Sequence, residues 1–332
     1  MFCCVTGSTG LLGNNLVREL INQGHQVRVA IRETSDRRPL AGLDVEIMVG
    51  SLDSPKFASQ LVEGIDAMIH SAGFIWFGYQ YMEKSRAVNV ECSRILAEQC
   101  QHQSVRFLHV SSTDALAAGT INQPANETNL NPPKGKSSYV RSKREAEQVI
   151  LDLHNNGLDA VIANPSLMLG PYDWKPSTGQ MMLAVTDGFI PFTPRGGISV
   201  ADVRQVAKGI IAAVERGKSG ERYILAGQNL TYLKLWRRMA GVVNRKGPWT
   251  RMPPRMAFVV GVAGDLYGKV KRRETNVNSA AIKLGAYYNY YDSSKAKTEL
   301  GYEPGDLDQL LKDSWTWLLE NGYSNKSKVN DD

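Results

Sequence analysis

An α/β architecture, with a parallel sheet covered by helices on both faces, is predicted by two features of the sequence. Short apolar, β-branched runs alternate with longer helical stretches through about residue 170. That alternation is the signature of parallel strands joined by helical crossovers. A glycine-rich turn also sits between the first strand and the first helix.

The elements follow in order. Phe2–Thr6 reads as a buried strand, Gly7–Gly13 as the turn, and Leu11–Gln23 as a helix closed by Gly24. Gln26–Ile31 and Val45–Val49 are the next strands, Phe57–Val62 a helix, and Ala67–His70 a fourth strand. Ser85–Cys100 is a long helix, Val105–Val110 a strand, Tyr139–Asn155 a helix and Ala160–Ala163 a strand. Gly, Pro and Ser then crowd Gly170–Gly197. Val203–Glu215 reads as a helix and Arg222–Leu225 as a strand that rejoins the sheet; from Leu233 the chain is mainly helical, broken at Pro253-Pro254. The expected division is a nucleotide-binding half at 1–170, joined again by the strand and helix near 196–228. A mainly substrate-binding lobe follows at 171–323, and a polar, flexible tail at 324–332.

With 332 residues, 42% of them hydrophobic, the chain can bury a substantial core. The net charge of +6 suits an anionic cofactor but is too thinly spread to indicate nucleic acid. Cys3, Cys4, Cys92 and Cys100 form no Cys-x-x-Cys pair and do not cluster with the five histidines. Reduced, buried thiols and no metal site are expected. Met1 leads directly into a strand with no leader pattern, so a cytoplasmic location is expected. The apolar run Met256–Gly268 is too short to span a bilayer. It reads as a packing helix, with a membrane-touching helix as the alternative.

The turn has the sequence VTGSTGLLGNNL. Gly7 permits the tight turn, Gly10 lets backbone approach a pyrophosphate, and Gly13 lets the helix pack close to the sheet. The helix start offers free N–H groups to phosphate. This is the phosphate-binding corner of a Rossmann-type fold. The second strand ends in Arg32, with Arg37 and Arg38 close behind. An acid there would hold the 2′-hydroxyl of NAD, whereas a guanidinium suits the 2′-phosphate of NADP(H). NADP(H) is therefore expected over NAD(H), although Glu33 and Asp36 lie nearby.

Tyr139 and Lys143 stand four residues apart in SSYVRSKREAE, on one helical face. A tyrosine hydroxyl is a poor acid–base group at neutral pH, and a neighbouring ammonium is expected to lower its pKa. Upstream, the strand RFLHV ends in Ser111-Ser112-Thr113, where a hydroxyl could orient a substrate oxygen.

These segments, with HSAG (His70–Gly73), NPSLMLGP (Asn164–Pro171), Gly196–Thr231 and DSSKAKTELGYEP (Asp292–Pro304), occur in the order of the extended short-chain dehydrogenase/reductase family. The chain resembles that family over nearly its whole length. It looks most like the dihydroflavonol-reductase-like and sugar-epimerase-like bacterial branch. The resemblance implies that Thr6, Gly7, Ser8, Thr9, Gly10, Leu11, Leu12 and Gly13 wrap the pyrophosphate and that Arg32 favours NADP(H). Ser51 and Leu52 match the adenine-contacting pair, with Ser51 where family members usually carry Asp. Ala72 and Gly73 would line the ribose-phosphate bridge, and Asn89 would be a structural hydrogen-bonding residue. Ser112 matches the catalytic hydroxyl, with Ser111 the neighbouring candidate. Tyr139 is implied as the proton carrier and Lys143 as its partner and ribose ligand. Pro165, Ser166 and Leu167 would pass beside the nicotinamide. Asn164 stands where many sugar-nucleotide members carry Arg, which implies a change in substrate charge.

The substrate side is carried by aromatic residues. Phe74, Trp76, Phe77, Tyr79 and Tyr81 cluster after HSAG, and Met168, Tyr172, Trp174, Met181, Met182, Phe189 and Phe192 add apolar surface. They read either as walls for an apolar carbonyl substrate or as ordinary packing. Phe74, Trp76, Tyr172 and Arg195 are the candidate substrate residues, Arg195 for an anionic group. The expected activity is NADP(H)-dependent reduction of an aldehyde or ketone, or the reverse oxidation. The alternatives are a nucleotide-sugar epimerase or dehydratase with retained cofactor, and a non-catalytic NADP(H)-binding regulator. A small-molecule partner is expected, with no integral membrane segment; a homodimer is left open.

Overall fold

The fold follows from buried strands that need cover on both faces. The computed structural model describes residues 1–131, 135, 137–271 and 278–324; residues 325–332 of the expected tail lie outside the described residues. The strands are β1 (Phe2–Thr6), β2 (Gln26–Ile31), β3 (Glu46–Val49), β4 (Ala67–His70), β5 (Arg106–Val110), β6 (Ala160–Pro165), β7 (Leu167–Leu169), β8 (Phe192–Thr193), β9 (Gly197–Asp202), β10 (Arg222–Leu225), β11 (Gln228–Thr231), β12 (Thr250–Arg251) and β13 (Tyr288–Asn289). The helices are α1 (Leu11–Asn22), α2 (Pro55–Val62), α3 (Met82–Arg86), α4 (Cys92–His102), α5 (Ser138–Asn155), α6 (Gln180–Asp187), α7 (Val203–Arg216), α8 (Tyr232–Val242), α9 (Pro254–Val270), α10 (Ser279–Leu284), α11 (Ser294–Leu300) and α12 (Leu307–Glu320).

Seven strands form one sheet in the order β10-β6-β5-β4-β1-β2-β3, every pair parallel. The order reverses between β1 and β4. At that point crossovers leave toward opposite faces and a crevice opens beyond the strand ends. Strand alternation is visible in Cys3 and Cys4: one points into the core shared with α1 and α7, the other into the core shared with α2 and α4. Both thiols are buried, as are Cys92 and Cys100, and none is bonded to another.

The first core is closed by a helix far along the chain. α7 buries Val203, Val206, Ala207, Ile210, Ile211 and Val214 on one side and packs against α1. β10 then pairs with β6 at the sheet edge.

A smaller sheet follows, β11-β9-β13 with β7 paired to β9. It shares a core with α6, α8 and α12. Beyond Leu233 the described residues are mainly helical, as expected, with β12 and β13 of two residues each as the strands there; such short strands leave no periodic pattern. The long helix expected over Ser85–Cys100 is divided: α3 and α4 are separated by a π-helical turn at Ala87–Glu91. Among the described residues no helix is long and apolar enough to cross a membrane.

Candidate active site

The glycine turn is built as steric logic demands. Gly7 has φ +70°, and a Cβ there would lie 2.7 Å from the Ala72 backbone nitrogen. A Cβ on Gly13 would overlap the Gly7 carbonyl. Gly10 differs: a Cβ there would meet nothing closer than the Gly7 oxygen at 3.4 Å, so its side-chain position faces open space. Gly10 is also the residue before α1, and its N–H donates to the Gly7 carbonyl at 3.0 Å. The Ser8 hydroxyl in this turn is fully buried and has no hydrogen-bond partner among the described residues. Thr6 ties the turn to the next strand: its hydroxyl lies 2.7 Å from His70 Nδ1 and accepts from the Ala72 N–H at 3.2 Å.

Arg32 follows β2 and is exposed, its backbone N–H donating to Ser35. Arg38 is engaged with Asp36 at 2.6 Å. Ser51 is exposed and Leu52 half-buried just beyond β3, where the Gly50 N–H donates to the Ile31 carbonyl at 3.0 Å.

The catalytic candidates meet across the ends of β5 and α5. Ser137 caps α5 by accepting from the Val140 N–H, which fixes the helix start beside Tyr139. Tyr139 and Lys143 are both buried. The Ser112 hydroxyl lies close enough to the Tyr139 phenol to act on its pKa, and its oxygen accepts from the Asp114 N–H at 3.1 Å. Burial pushes the Tyr139 phenol well above its ordinary pKa; the Asp114 carboxylate adds to this and Ser112 opposes it. This corrects the expected lowering by Lys143. That ammonium instead donates to the Val110 carbonyl at 2.8 Å. Burial also lowers Lys143's own pKa to about 8, against the opposing pull of Glu147.

Gly73 lies next to this ammonium. A Cβ there would sit 3.6 Å from Lys143 Nζ and 3.4 Å from Asn89 Oδ1. Asn89, in the π-helical turn, accepts from the Phe74 N–H and donates to the Phe74 carbonyl and to Ser142. It therefore fixes the segment leaving β4 onto α5. π-helical turns recur at functional sites, and this one aims Asn89 inward.

Asn164, in β6, is fully buried and donates to the Ser112 carbonyl at 2.9 Å and to Glu147 of α5 at 2.6 Å, so its amide ties β6 to α5 and to the end of β5. Glu147 in turn accepts from Arg222 at 2.9 Å. Sequence reasoning missed Glu147, although it continues the four-residue spacing of Tyr139 and Lys143. Pro165 ends β6 and Ser166 follows it, both buried, Leu167 is half-buried at the start of β7, and the Ser166 hydroxyl is unpartnered among the described residues.

Of the aromatic residues, Phe77 reaches the trio. Its ring meets Tyr139 edge-on at 5.3 Å. Phe74 and Trp76 both pack on Tyr81, at 6.2 Å and 5.3 Å. Tyr172 has other neighbours: the Arg18 guanidinium lies 3.9 Å from its ring centre and Trp317 packs beside it. Trp174 and Met182 also belong to the core of the second lobe. Arg195 is exposed between β8 and β9.

The residues present fit a dinucleotide. An open position at Gly10 and an unpartnered buried hydroxyl at Ser8 follow the carboxyl end of β1, next to the point where the strand order reverses, and the exposed end of β2 lies on the neighbouring strand. The fold is Rossmann-like, a parallel sheet flanked by helices with a glycine turn at its first strand end. The family model for the NAD dependent epimerase/dehydratase family matches residues 3–226. The chain belongs to that family, within the extended short-chain dehydrogenase/reductases, and is an NAD(P)-dependent enzyme. Relatives bear different activity names. A Synechocystis protein provisionally named a dihydroflavonol 4-reductase is 31% identical, over 96% of this chain and 95% of its own. Sterol demethylase protein B of Methylococcus capsulatus is 29% identical, over 97% and 99%. The crystal structure of a nucleoside-diphosphate-sugar epimerase from Pseudomonas aeruginosa superimposes with a TM-score of 0.83 at 28% identity, over 98% and 99% of the two chains.

Proposed function

We propose that the chain is an NADP(H)-dependent reductase of an apolar aldehyde or ketone, or the corresponding alcohol dehydrogenase. The observation that carries the reading is the burial of Tyr139 and Lys143 one turn apart on α5, with Ser112 close enough to the Tyr139 phenol to act on its pKa at the carboxyl end of the sheet. A bound nicotinamide supplies or takes the hydride. The protein does the rest. Ser112 orients the substrate oxygen, and Tyr139 gives it a proton as negative charge develops there. Lys143 has two N–H groups beyond the one given to Val110, and Gly73 leaves room for a ribose to reach them. Ser8, Thr9, Gly10, Leu11 and Leu12 take the pyrophosphate, and Arg32 the 2′-phosphate. Phe77, Phe74 and Trp76 favour an apolar substrate beside Tyr139.

A second reading, nucleotide-sugar epimerisation with retained NAD, is favoured by the name of the Pseudomonas relative. An NADPH-oxidation screen against aldehydes, ketones and nucleotide sugars separates the two. The reductase reading expects stoichiometric NADPH consumption with an apolar carbonyl. Nucleotide-sugar turnover without net NADPH loss, by protein carrying tightly held NAD, would replace it with the epimerase.

A further inference from the structure

We propose that α9 is a docking helix that lies on an anionic lipid surface. Its amphipathicity is inverted. Ordinary surface helices turn large apolar residues inward. Here the inward positions, recurring every three or four residues, are Ala257, Val260, Gly261, Gly264, Asp265 and Gly268, mostly small. They seat α9 on α10: a Cβ on Gly261 would lie 3.2 Å from Ser279 Cα, and Asp265 accepts from the Ser279 N–H. The large side chains point out. Phe258 is 72% exposed, Leu266 62% and Val270 73%. Seven large apolar residues from Met256 to Val270 are exposed on this one helix, among eighteen over all described residues. The expectation of a packing helix therefore holds for its small-residue face alone.

Charge selects the occupant. Residues 245–273 contain eight Lys or Arg and one acid, Asp265, a net of +7 where the whole chain carries +6. Asp265 is committed to α10. Arg255 and Lys269, near the two ends of α9, are exposed. On a helical wheel they share the outer half with Phe258, Val262 and Leu266. Long cationic side chains there can reach headgroups while the apolar residues enter the acyl boundary. An isologous pairing of two copies through this face would instead bring two net +7 segments together. Trp249, 68% exposed, precedes the helix and packs on exposed Phe189 with ring centres 4.9 Å apart. Indole favours the headgroup level. At seventeen residues α9 is about 25 Å long, fit to lie in the interface rather than cross it.

The docked lobe is tied to the catalytic strand end. From α10 the chain runs through β13 to Tyr291, whose hydroxyl donates to the Thr113 carbonyl at 2.9 Å, one residue from Ser112.

Flotation of the full chain with vesicles tests the proposal, independently of any catalytic activity. Vesicles of equal parts phosphatidylglycerol and phosphatidylcholine should carry the protein up the gradient, and added salt should weaken that binding. Pure phosphatidylcholine vesicles should bind it less. Phe258→Glu/Leu266→Glu should reduce binding about tenfold or more, with an unchanged circular dichroism spectrum and melting temperature. Should that variant aggregate, Arg255→Glu/Lys269→Glu, at two exposed positions, should lower binding to anionic vesicles selectively. Absence of wild-type binding would overturn the proposal, as would binding that neither variant weakens. A dimer that Phe258→Glu/Leu266→Glu splits, in a protein that ignores vesicles, would assign the face to a second copy instead.

Discussion

Tyr139, Lys143 and Glu147 recur every four residues along α5, and all three are buried. Within this ladder Glu147 acts on Lys143, whereas burial, Asp114 and Ser112 set the Tyr139 phenol, and substitutions should separate their roles. Tyr139→Phe keeps the ring against Phe77 but removes the proton. Turnover should fall by about 10²–10⁴-fold with NADPH binding retained; near-normal rates would remove Tyr139 from the chemistry. Lys143 invites a different measurement. Its folded pKa, about 8, lies below the unfolded lysine value of 10.5, so folding through that window expels a proton. A lysine depressed in this way makes stability rise with pH between about 8 and 10.5, by roughly 3 kcal/mol at most. The buried thiols pull the other way over this range, because they stay protonated in the folded chain and ionise on unfolding, so the lysine shows as a difference: between pH 8 and pH 10 in chemical denaturation the wild type should gain stability relative to Lys143→Met. Arg32→Ala should weaken NADPH by roughly 1.5–3 kcal/mol while NADH changes little. Paired cofactor titrations read this directly, and an unchanged ratio of the two affinities would remove Arg32 from cofactor choice.

At the scale of elements, the join between β1 and α1 sets the phosphate corner. Gly10 has space for a side chain in the protein alone, unlike Gly7 and Gly13. Gly10→Val should therefore fold with a native circular dichroism spectrum yet bind cofactor poorly, whereas Gly13→Val should not fold properly. Equal cofactor affinity in a folded Gly10→Val protein would make the turn purely structural. The Asn164–Glu147–Arg222 chain joins α5, β6 and β10. Glu147→Ala removes the partner of a half-buried guanidinium and of a buried amide, and should cost about 2–4 kcal/mol in denaturation. Elements of this kind were legible in the sequence where their periodicity was long or their turn chemistry specific. β2, β4 and β10 lie at the boundaries read from their apolar runs, and Tyr139 and Lys143 share the helical face that their spacing implied. Two-residue strands such as β8, β12 and β13 carry no period to read. The Glu147 chain was hidden for a different reason: its partners lie 17 and 75 residues away, and spacing along one helix says nothing of them. Burial shifted the Tyr139 pKa in the direction opposite to that inferred from its neighbour, because the sequence shows proximity but not desolvation.

For the whole molecule, the order of the chain and the order of the sheet do not coincide. The seven-stranded sheet is completed only at Leu225, and α7 covers the face on which α1 would otherwise stand exposed. A fragment of residues 1–170 should therefore lack cooperative thermal unfolding, while the full chain melts in one main transition. Calorimetry of the two would decide it; a cooperative melt of the fragment would make the first half independent of α7 and β10.

The four cysteines give the protein a built-in reporter of opening. Burial pushes the Cys3 thiol up to about 11 and Cys4 to about 12, with the Cys100 thiol higher still. Alkylating reagents attack the thiolate, which these positions withhold in the folded state. Cys3 and Cys4 lie side by side yet sit in cores on opposite faces of the sheet. A mass-resolved alkylation time course can thus show whether the two faces come apart together or in sequence, and which of them an added nicotinamide dinucleotide protects.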